Sequence, residues 1–212
     1  MSNHFILEKV PYYSQRDNRY KPFVSCFPTS MAMAIEYCLN LVDKNKSDIG
    51  CHRATQLEDY LNELIYDNET KQWMKKNQGR LGSWIWKYAR RTIYMIEAYI
   101  FNKIMNEHGY KAEYKQITYD EYCTRIEEDK LPIVVGGNFK AVSRVGGHVC
   151  CGIGFDKSGM KELIVRDPFG DALKGYPKGK SQEQNDNDGY ENAYGLRFYK
   201  NGKFASIVIE RV

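Results

Sequence analysis

The sequence contains no long apolar run. Its most apolar stretch, residues 93–104, includes Glu97, Asn102 and Lys103 and is too short and too polar to span a bilayer. The N-terminal residues 1–9 show no apolar segment followed by a cleavage signature, so no secretory signal is predicted. We therefore expect a cytoplasmic protein without membrane insertion, and the oligomeric state is left open.

Signals for nucleic acids, nucleotides and metals are also scarce. The net charge is only +4, and no arginine-rich stretch, zinc-finger spacing or Walker-type glycine loop is present, so no nucleic-acid partner is predicted. Cys51-His52 lacks a second ligand pair. The segment Asp186-Asn187-Asp188-Gly189 fails as a calcium loop, because Gln184 and Gly195 occupy its outer ligand positions. We predict no cofactor and no metal.

The cysteines form no compact disulfide framework. Their positions favour reduced thiols in a cytosolic protein, although a disulfide among Cys38, Cys51 and Cys123 stays open. Cys150 and Cys151 are neighbours on a predicted strand and should point to opposite faces. For that reason the grouping of these two thiols with His148 does not predict a metal site.

The chain length of 212 residues predicts a single domain, residues 1–212. Helical patterns fill the region from about 27 to 108, and strand patterns dominate from about 110 to 212. Helices followed by an antiparallel sheet predict an α+β fold. Residues 170–195 are rich in Gly, Lys, Asn and Asp, and we interpret them as a long loop over a cleft.

Individual elements follow from periodicity and turn signals. Helices are predicted over 27–43, 55–66, 69–77 and 83–108, the last beginning at Ser83 and ending at Gly109. Thr118 and Glu121 form a capping-box pattern that opens a further helix, which ends near residue 129. Strands are predicted over 4–10, 110–117, 131–137, 148–155 and 162–167, with a final hairpin of 196–199 and 204–210 across Asn201-Gly202.

Candidate catalytic residues occur in the order Gln15, Cys26, His148 and Asp167. Cys26 stands at a helix start, where the helix dipole stabilises a thiolate. Of the four histidines, only His148 lies on a predicted strand that can face this helix, and two glycines before it permit close approach. The alternative interpretations are a buried structural thiol and a structural strand histidine.

Asp167 ends the next strand and can hold the imidazole in one tautomer, although an aspartate before Pro168 also suits a turn. Asn138 and Asp156 are fallback candidates for that role. Gln15 precedes the cysteine and can donate a hydrogen bond to a developing oxyanion, whereas a loop glutamine is otherwise simply solvated.

At these residues the sequence resembles the C39-like peptidases of the papain-like superfamily. The matching stretches are 10–15, 26–33, 147–156 and 165–168. The resemblance implies a papain-like fold in which an N-terminal helical half, with the nucleophile helix, packs on a C-terminal antiparallel sheet. It also implies a cysteine peptidase or amidase with Cys26 as nucleophile, His148 as base, Asp167 as orienting acid and Gln15 in the oxyanion hole. The family usually has Gly after the cysteine, whereas this chain has Phe27, which alters the cleft beside the nucleophile.

The resemblance implies a peptide or peptidoglycan-type substrate. A leader peptidase normally precedes a membrane transporter, and no such segment occurs here, so a bacterial or phage cell-wall hydrolase fits better. Such an enzyme would reach the wall through lysis or packaging in a virion. Two alternatives stay open: a catalytically inactive binding or structural protein, and an acyltransferase that uses the same Cys-His-Asp site.

Overall fold

An antiparallel sheet forms the second half of the protein. The computed structural model describes residues 2–19, 22, 24–77, 89–137, 148–170, 190–195 and 202–212. Within them the strands are β1 (His4–Ile6), β2 (Tyr110–Thr118), β3 (Ile133–Gly137), β4 (His148–Asp156), β5 (Glu162–Arg166), β6 (Asn192–Gly195) and β7 (Lys203–Arg211). The sheet order is β2-β7-β3-β4-β5-β6, and β1 also pairs with β4.

The residue types of the strands agree with their buried or edge positions in the sheet. β3 begins with Ile133-Val134-Val135, β-branched residues that favour extended backbone, and its first four residues are buried. β4 is buried at every position except its two ends. β2 is the edge strand of the sheet order, and its first four residues alternate buried and exposed. Helices and an antiparallel sheet confirm the predicted α+β class.

Five α-helices lie within the described residues: α1 (Cys26–Leu41), α2 (Leu57–Ile65), α3 (Asn68–Lys76), α4 (Ala89–Met105) and α5 (Tyr119–Asp129). Most residues of α1 are buried, because this helix packs against β4, α2 and α4. Thr118 accepts a hydrogen bond from the Glu121 amide at the start of α5, as its pattern predicts. Gly109 adopts a left-handed φ of 82° after the turn that follows α4. No helix in these ranges combines the length and apolarity needed to cross a membrane.

Two sequence predictions are wrong. The 204–210 strand does not form the predicted hairpin, because β2 pairs with β7 along its whole length and β3 occupies the other edge at 205–207. The partner segment 196–199 lies outside the described residues. The predicted loop 170–195 contains strand β6, which pairs with β5. Ser83, proposed as a helix cap, also lies outside the described residues.

A glycine lets α4 approach the sheet closely. The hydroxyl of Tyr94, on α4, lies where a side chain at Gly136 would begin, and Tyr94 itself is buried. Gly136 pairs with Val149, the residue after His148. The small residue therefore fixes how closely α4 approaches the strands next to the candidate base.

We expect Gly136→Ala to lower the free energy of unfolding by about 2 kcal/mol, because the new methyl group must displace the Tyr94 ring from a packed core. Thermal or urea unfolding measures the change. Gly159→Ala is the matched control, since no atom lies within 4 Å of an added methyl group there. Equal stability of the two variants would contradict this view of the α4 contact.

Candidate active site

Cys26 is the first residue of α1. Ser25 precedes the helix as its N-cap without making a side-chain capping bond, and the Cys26 side chain is partly exposed. One turn later, Ser30 Oγ donates a hydrogen bond to the Val149 carbonyl oxygen at 3.1 Å. This bond joins the first turns of α1 to the strand that begins with His148.

Phe27, the residue after Cys26, packs into the core. Its side chain is buried and packs edge-on against Tyr94, with the ring centroids 4.6 Å apart. The residue that departs from the family pattern therefore contributes to the contact between α1 and α4.

His148 and Asp167 form a buried pair. His148 Nε2 lies 2.6 Å from Asp167 Oδ1, and the Asp167 side chain is fully buried. The same Oδ1 accepts a hydrogen bond of 2.9 Å from the Phe169 amide. Burial of the imidazole disfavours its charged form, but the Asp167 carboxylate outweighs this effect, with a further contribution from Cys150, and the pKa of His148 is raised well above 6.5.

The segment around Gln15 connects the turn after Asp167, the candidate acid, with helix α1, which carries the candidate nucleophile. The Gln15 backbone N–H donates a hydrogen bond to the Pro168 carbonyl oxygen at 2.8 Å. Three residues on, Asn18 Nδ2 donates to Thr29 Oγ1 in α1 at 2.9 Å. The Gln15 side chain is buried and donates to the Pro22 carbonyl at 2.6 Å, while its Oε1 accepts no hydrogen bond from the described residues.

Cys150 is the shared neighbour of the candidate base and the candidate nucleophile. It hydrogen-bonds to His148 and interacts electrostatically with Cys26, whereas Cys26 forms no hydrogen bond within the described ranges. Catalytic hydrogen bonds are often long until substrate binds. Burial raises the pKa of the Cys150 thiol to about 12, so this thiol stays protonated at neutral pH.

Donor atoms of His148, Cys150 and Asp167 lie within 4.8 Å of one another, which is close enough to hold a metal ion. Cys151 is not in this group, and strand alternation predicts that it points to the opposite face of β4. A charged hydrogen bond accounts for the short contact between the imidazole and the carboxylate without a metal. The absence of a metal stays a prediction.

Of the fallback acids, Asp156 lies at the far end of β4. Its carboxylate contacts His4 Nδ1 at 3.4 Å and accepts a hydrogen bond from the Ser158 amide at 2.7 Å. Since seven residues of strand lie between it and His148, it does not reach that imidazole. Asn138 lies outside the described residues.

Glu97 is an ionisable residue near Cys26 that the sequence analysis did not identify as part of the site. It lies on α4, its side chain is fully buried, and neither carboxylate oxygen has a hydrogen-bond partner among the described residues. Burial, and to a smaller extent the nearby Cys26, raise the pKa of Glu97 to about 8. A charged residue within the apolar stretch 93–104 was the available sequence signal.

The family model described as "Peptidase_C39 like family" matches residues 7–196. The chain therefore belongs to the Peptidase_C39-like family, a family of cysteine peptidases. No curated protein matches the chain. Among solved structures, UfSP from C. elegans is similar at 13% identity with a TM-score of 0.33, over 55% of this chain and 22% of that one. The match thus spans about a fifth of the length of UfSP.

The buried Glu97 predicts a stability that falls as pH rises. Between its ordinary pKa of 4.5 and the folded-state pKa of about 8, the folded protein keeps a proton that the unfolded chain has lost. The free energy of unfolding should therefore fall across this window, by on the order of 3–5 kcal/mol from this one group.

Urea unfolding at several pH values tests this expectation by comparing wild type with Glu97→Gln. The stability difference between them should move in favour of Glu97→Gln from pH 5 to pH 8. Exposed Glu63, changed to Gln, is the matched control and should follow the wild type. A constant difference between Glu97→Gln and wild type would show that Glu97 does not keep its proton in the fold.

Proposed function

We propose that this protein hydrolyses a peptide or amide bond through an acyl-thioester on Cys26. The observation that supports this most is the buried His148–Asp167 pair at the beginning of β4, the strand to which the first turns of α1 are bonded. A carboxylate that fixes one nitrogen of an imidazole leaves the other nitrogen for proton transfer. Since Asp167 contacts Nε2, Nδ1 of His148 is the nitrogen for the thiol.

In the acylation step, Nδ1 takes the proton from Cys26 Sγ, and the sulfur attacks the substrate carbonyl carbon. The tetrahedral intermediate collapses, the C–N bond breaks, and the amine leaves with the proton from Nδ1. A water molecule then gives a proton to Nδ1 and attacks the thioester. Release of the carboxylic acid returns that proton and restores the thiol.

The oxyanion in both steps needs hydrogen-bond donors in fixed positions. We assign this role to the backbone N–H of Cys26 and to the Gln15 side chain. Gln15 is suited to it because its segment is bonded to Pro168 on one side and, through Asn18, to α1 on the other. The Asp167 carboxylate stabilises the imidazolium that forms.

For the substrate we propose peptides of the bacterial cell wall. The family membership supports a peptidase, and the net charge of +4 favours contact with anionic polymers. We place the protein in a reducing compartment, because each of the six cysteines is free. Release by lysis or packaging in a virion would bring it to the wall. No metal enters the proposed reaction.

Incubation with purified peptidoglycan and with a peptide library tests the proposal. Wild type should release new amine and carboxyl termini, and Cys26→Ala should lose at least about 10³-fold of that activity, because no other group replaces the nucleophile. Cys38→Ala is the matched control from the buried face of α1 and should keep the activity. Activity should survive a chelator. Full activity of Cys26→Ala would contradict the assignment.

Thiol alkylation tests the same site without a substrate. Iodoacetamide should modify Cys26 faster than the five other cysteines, as mapped by mass spectrometry, because Cys26 is partly exposed while the other five are buried, and because the proposed base would activate its thiol. Equal rates at the six thiols would favour the inactive binding protein. Addition of amine nucleophiles to the peptide reaction separates hydrolase from acyltransferase, since a transferase forms amine-linked products.

A further inference from the structure

We infer that Tyr194 is a positioning residue of the active site, and that it fixes the Asp167 carboxylate that orients His148. This inference rests on the proposed function for its catalytic meaning. Its structural basis is independent of which thiol is the nucleophile.

The Tyr194 hydroxyl donates a short hydrogen bond to Asp167 Oδ2, the oxygen opposite the one that contacts His148. Both side chains are buried, with Tyr194 only 1% exposed. Asp167 Oδ1 already forms a hydrogen bond with His148 Nε2 and accepts another from the Phe169 backbone amide. The carboxylate is thus held at both oxygens, which prevents rotation about its terminal bond.

Strand β6 brings Tyr194 to this position. Tyr194 pairs with Leu163 of β5, and Asn192 pairs with Val165. Asn192 Nδ2 donates to the Tyr194 hydroxyl at 3.3 Å, so the single hydroxyl proton is directed away from Asn192. Another acceptor, the Gly170 carbonyl, is 3.5 Å away and farther than the carboxylate.

The segment before β6 is anchored beside the same site. The Arg166 guanidinium lies 3.5 Å from the centroid of the Tyr190 ring and donates to the Tyr190 carbonyl. The Tyr12 ring meets Tyr190 edge-on, and the Tyr12 hydroxyl donates to the Asp167 carbonyl at 3.1 Å. These contacts hold β6 in place beside Asp167, the residue that Tyr194 contacts.

A buried carboxylate that loses one donor loses a constraint on its orientation. Asp167 Oδ1 would then face His148 for a smaller share of the time. Among the described residues, the ionisable groups that act on His148 are Asp167 and Cys150, and Cys26 in turn acts on Cys150. The Tyr194 hydroxyl is bonded to Asp167, so its removal acts on the imidazole through that carboxylate.

The test is a titration of His148 by NMR, followed through its ring nitrogens, in full-length protein carrying Cys26→Ala so that the nucleophile does not titrate with it. With Tyr194 present, the midpoint should lie above 6.5. With Tyr194→Phe added, we expect it to fall by about one pH unit, a tenfold loss in proton affinity. In the otherwise wild-type enzyme, Tyr194→Phe should lower kcat about tenfold with little change in KM.

The control is Tyr119→Phe. Tyr119 is also buried, but its hydroxyl donates to the Asp156 and Glu162 carbonyls away from His148. This variant loses a comparable hydroxyl and should leave the His148 midpoint unchanged. A merely structural role of Tyr194 would lower thermal stability, as Tyr119→Phe does, without moving the midpoint.

An unchanged or higher His148 midpoint in folded Tyr194→Phe would overturn the inference. If Tyr194→Phe does not fold, the same titration of His148 in Asn192→Ala replaces it. We expect a smaller fall of the His148 midpoint there, because Asn192→Ala removes only the hydrogen bond that directs the Tyr194 hydroxyl proton towards Asp167. An unchanged or higher midpoint in Asn192→Ala would likewise overturn the inference. A failure of the proposed function would be seen in a different experiment, as full peptidase activity of Cys26→Ala. The titration of His148 can be interpreted in either case.

Discussion

The contact between His148 Nε2 and Asp167 Oδ1 is the interaction on which the rest of the site depends. A carboxylate that is buried away from water needs several hydrogen-bond donors, since an unpaired buried charge is strongly unfavourable. Here the donors come from a strand end, a turn amide and a tyrosine on β6. These elements are distant in sequence, so the site is complete only when the sheet has assembled.

The same requirement explains the hydrogen bonds of the N-terminal segment 12–18. The Gln15 amide binds the Pro168 carbonyl, and the Tyr12 hydroxyl binds the Asp167 carbonyl. Asn18 then connects this segment to α1. The candidate acid, the strand of the candidate base and helix α1 are thereby joined by hydrogen bonds, which fixes their relative positions more tightly than apolar packing alone. Glu97 and Cys150, which both interact with Cys26, are buried in their neutral forms at neutral pH, which limits negative charge near the Cys26 sulfur.

The sequence predicted the α+β class, most element positions to within a few residues, the place of Cys26 at a helix start and the contact between His148 and Asp167. Each of these residues stands at the boundary of an element with a clear pattern, and the family resemblance pointed to the same residues. Their catalytic roles stay predictions. Tyr194 was missed because β6 is short and lies in a polar segment, and its pairing with β5 is a long-range contact that no local signal encodes. The Asn201-Gly202 signal was misleading for a related reason: β2 and β3 occupy both edges of 205–207 and exclude a local hairpin there. Glu97 was missed because helical periodicity places a residue on a face but does not reveal that its partners are absent.

The most direct measurement is an experimental structure of the protein after reaction with a peptide aldehyde, which forms a reversible hemithioacetal with an activated thiol. We expect the adduct on Cys26, with Nδ1 of His148 within about 3.5 Å of Sγ or of the new oxygen, and with Nε2 still on Asp167. An adduct on Cys150, or on Cys26 with the His148 ring turned away, would contradict the proposed roles of Cys26 and His148.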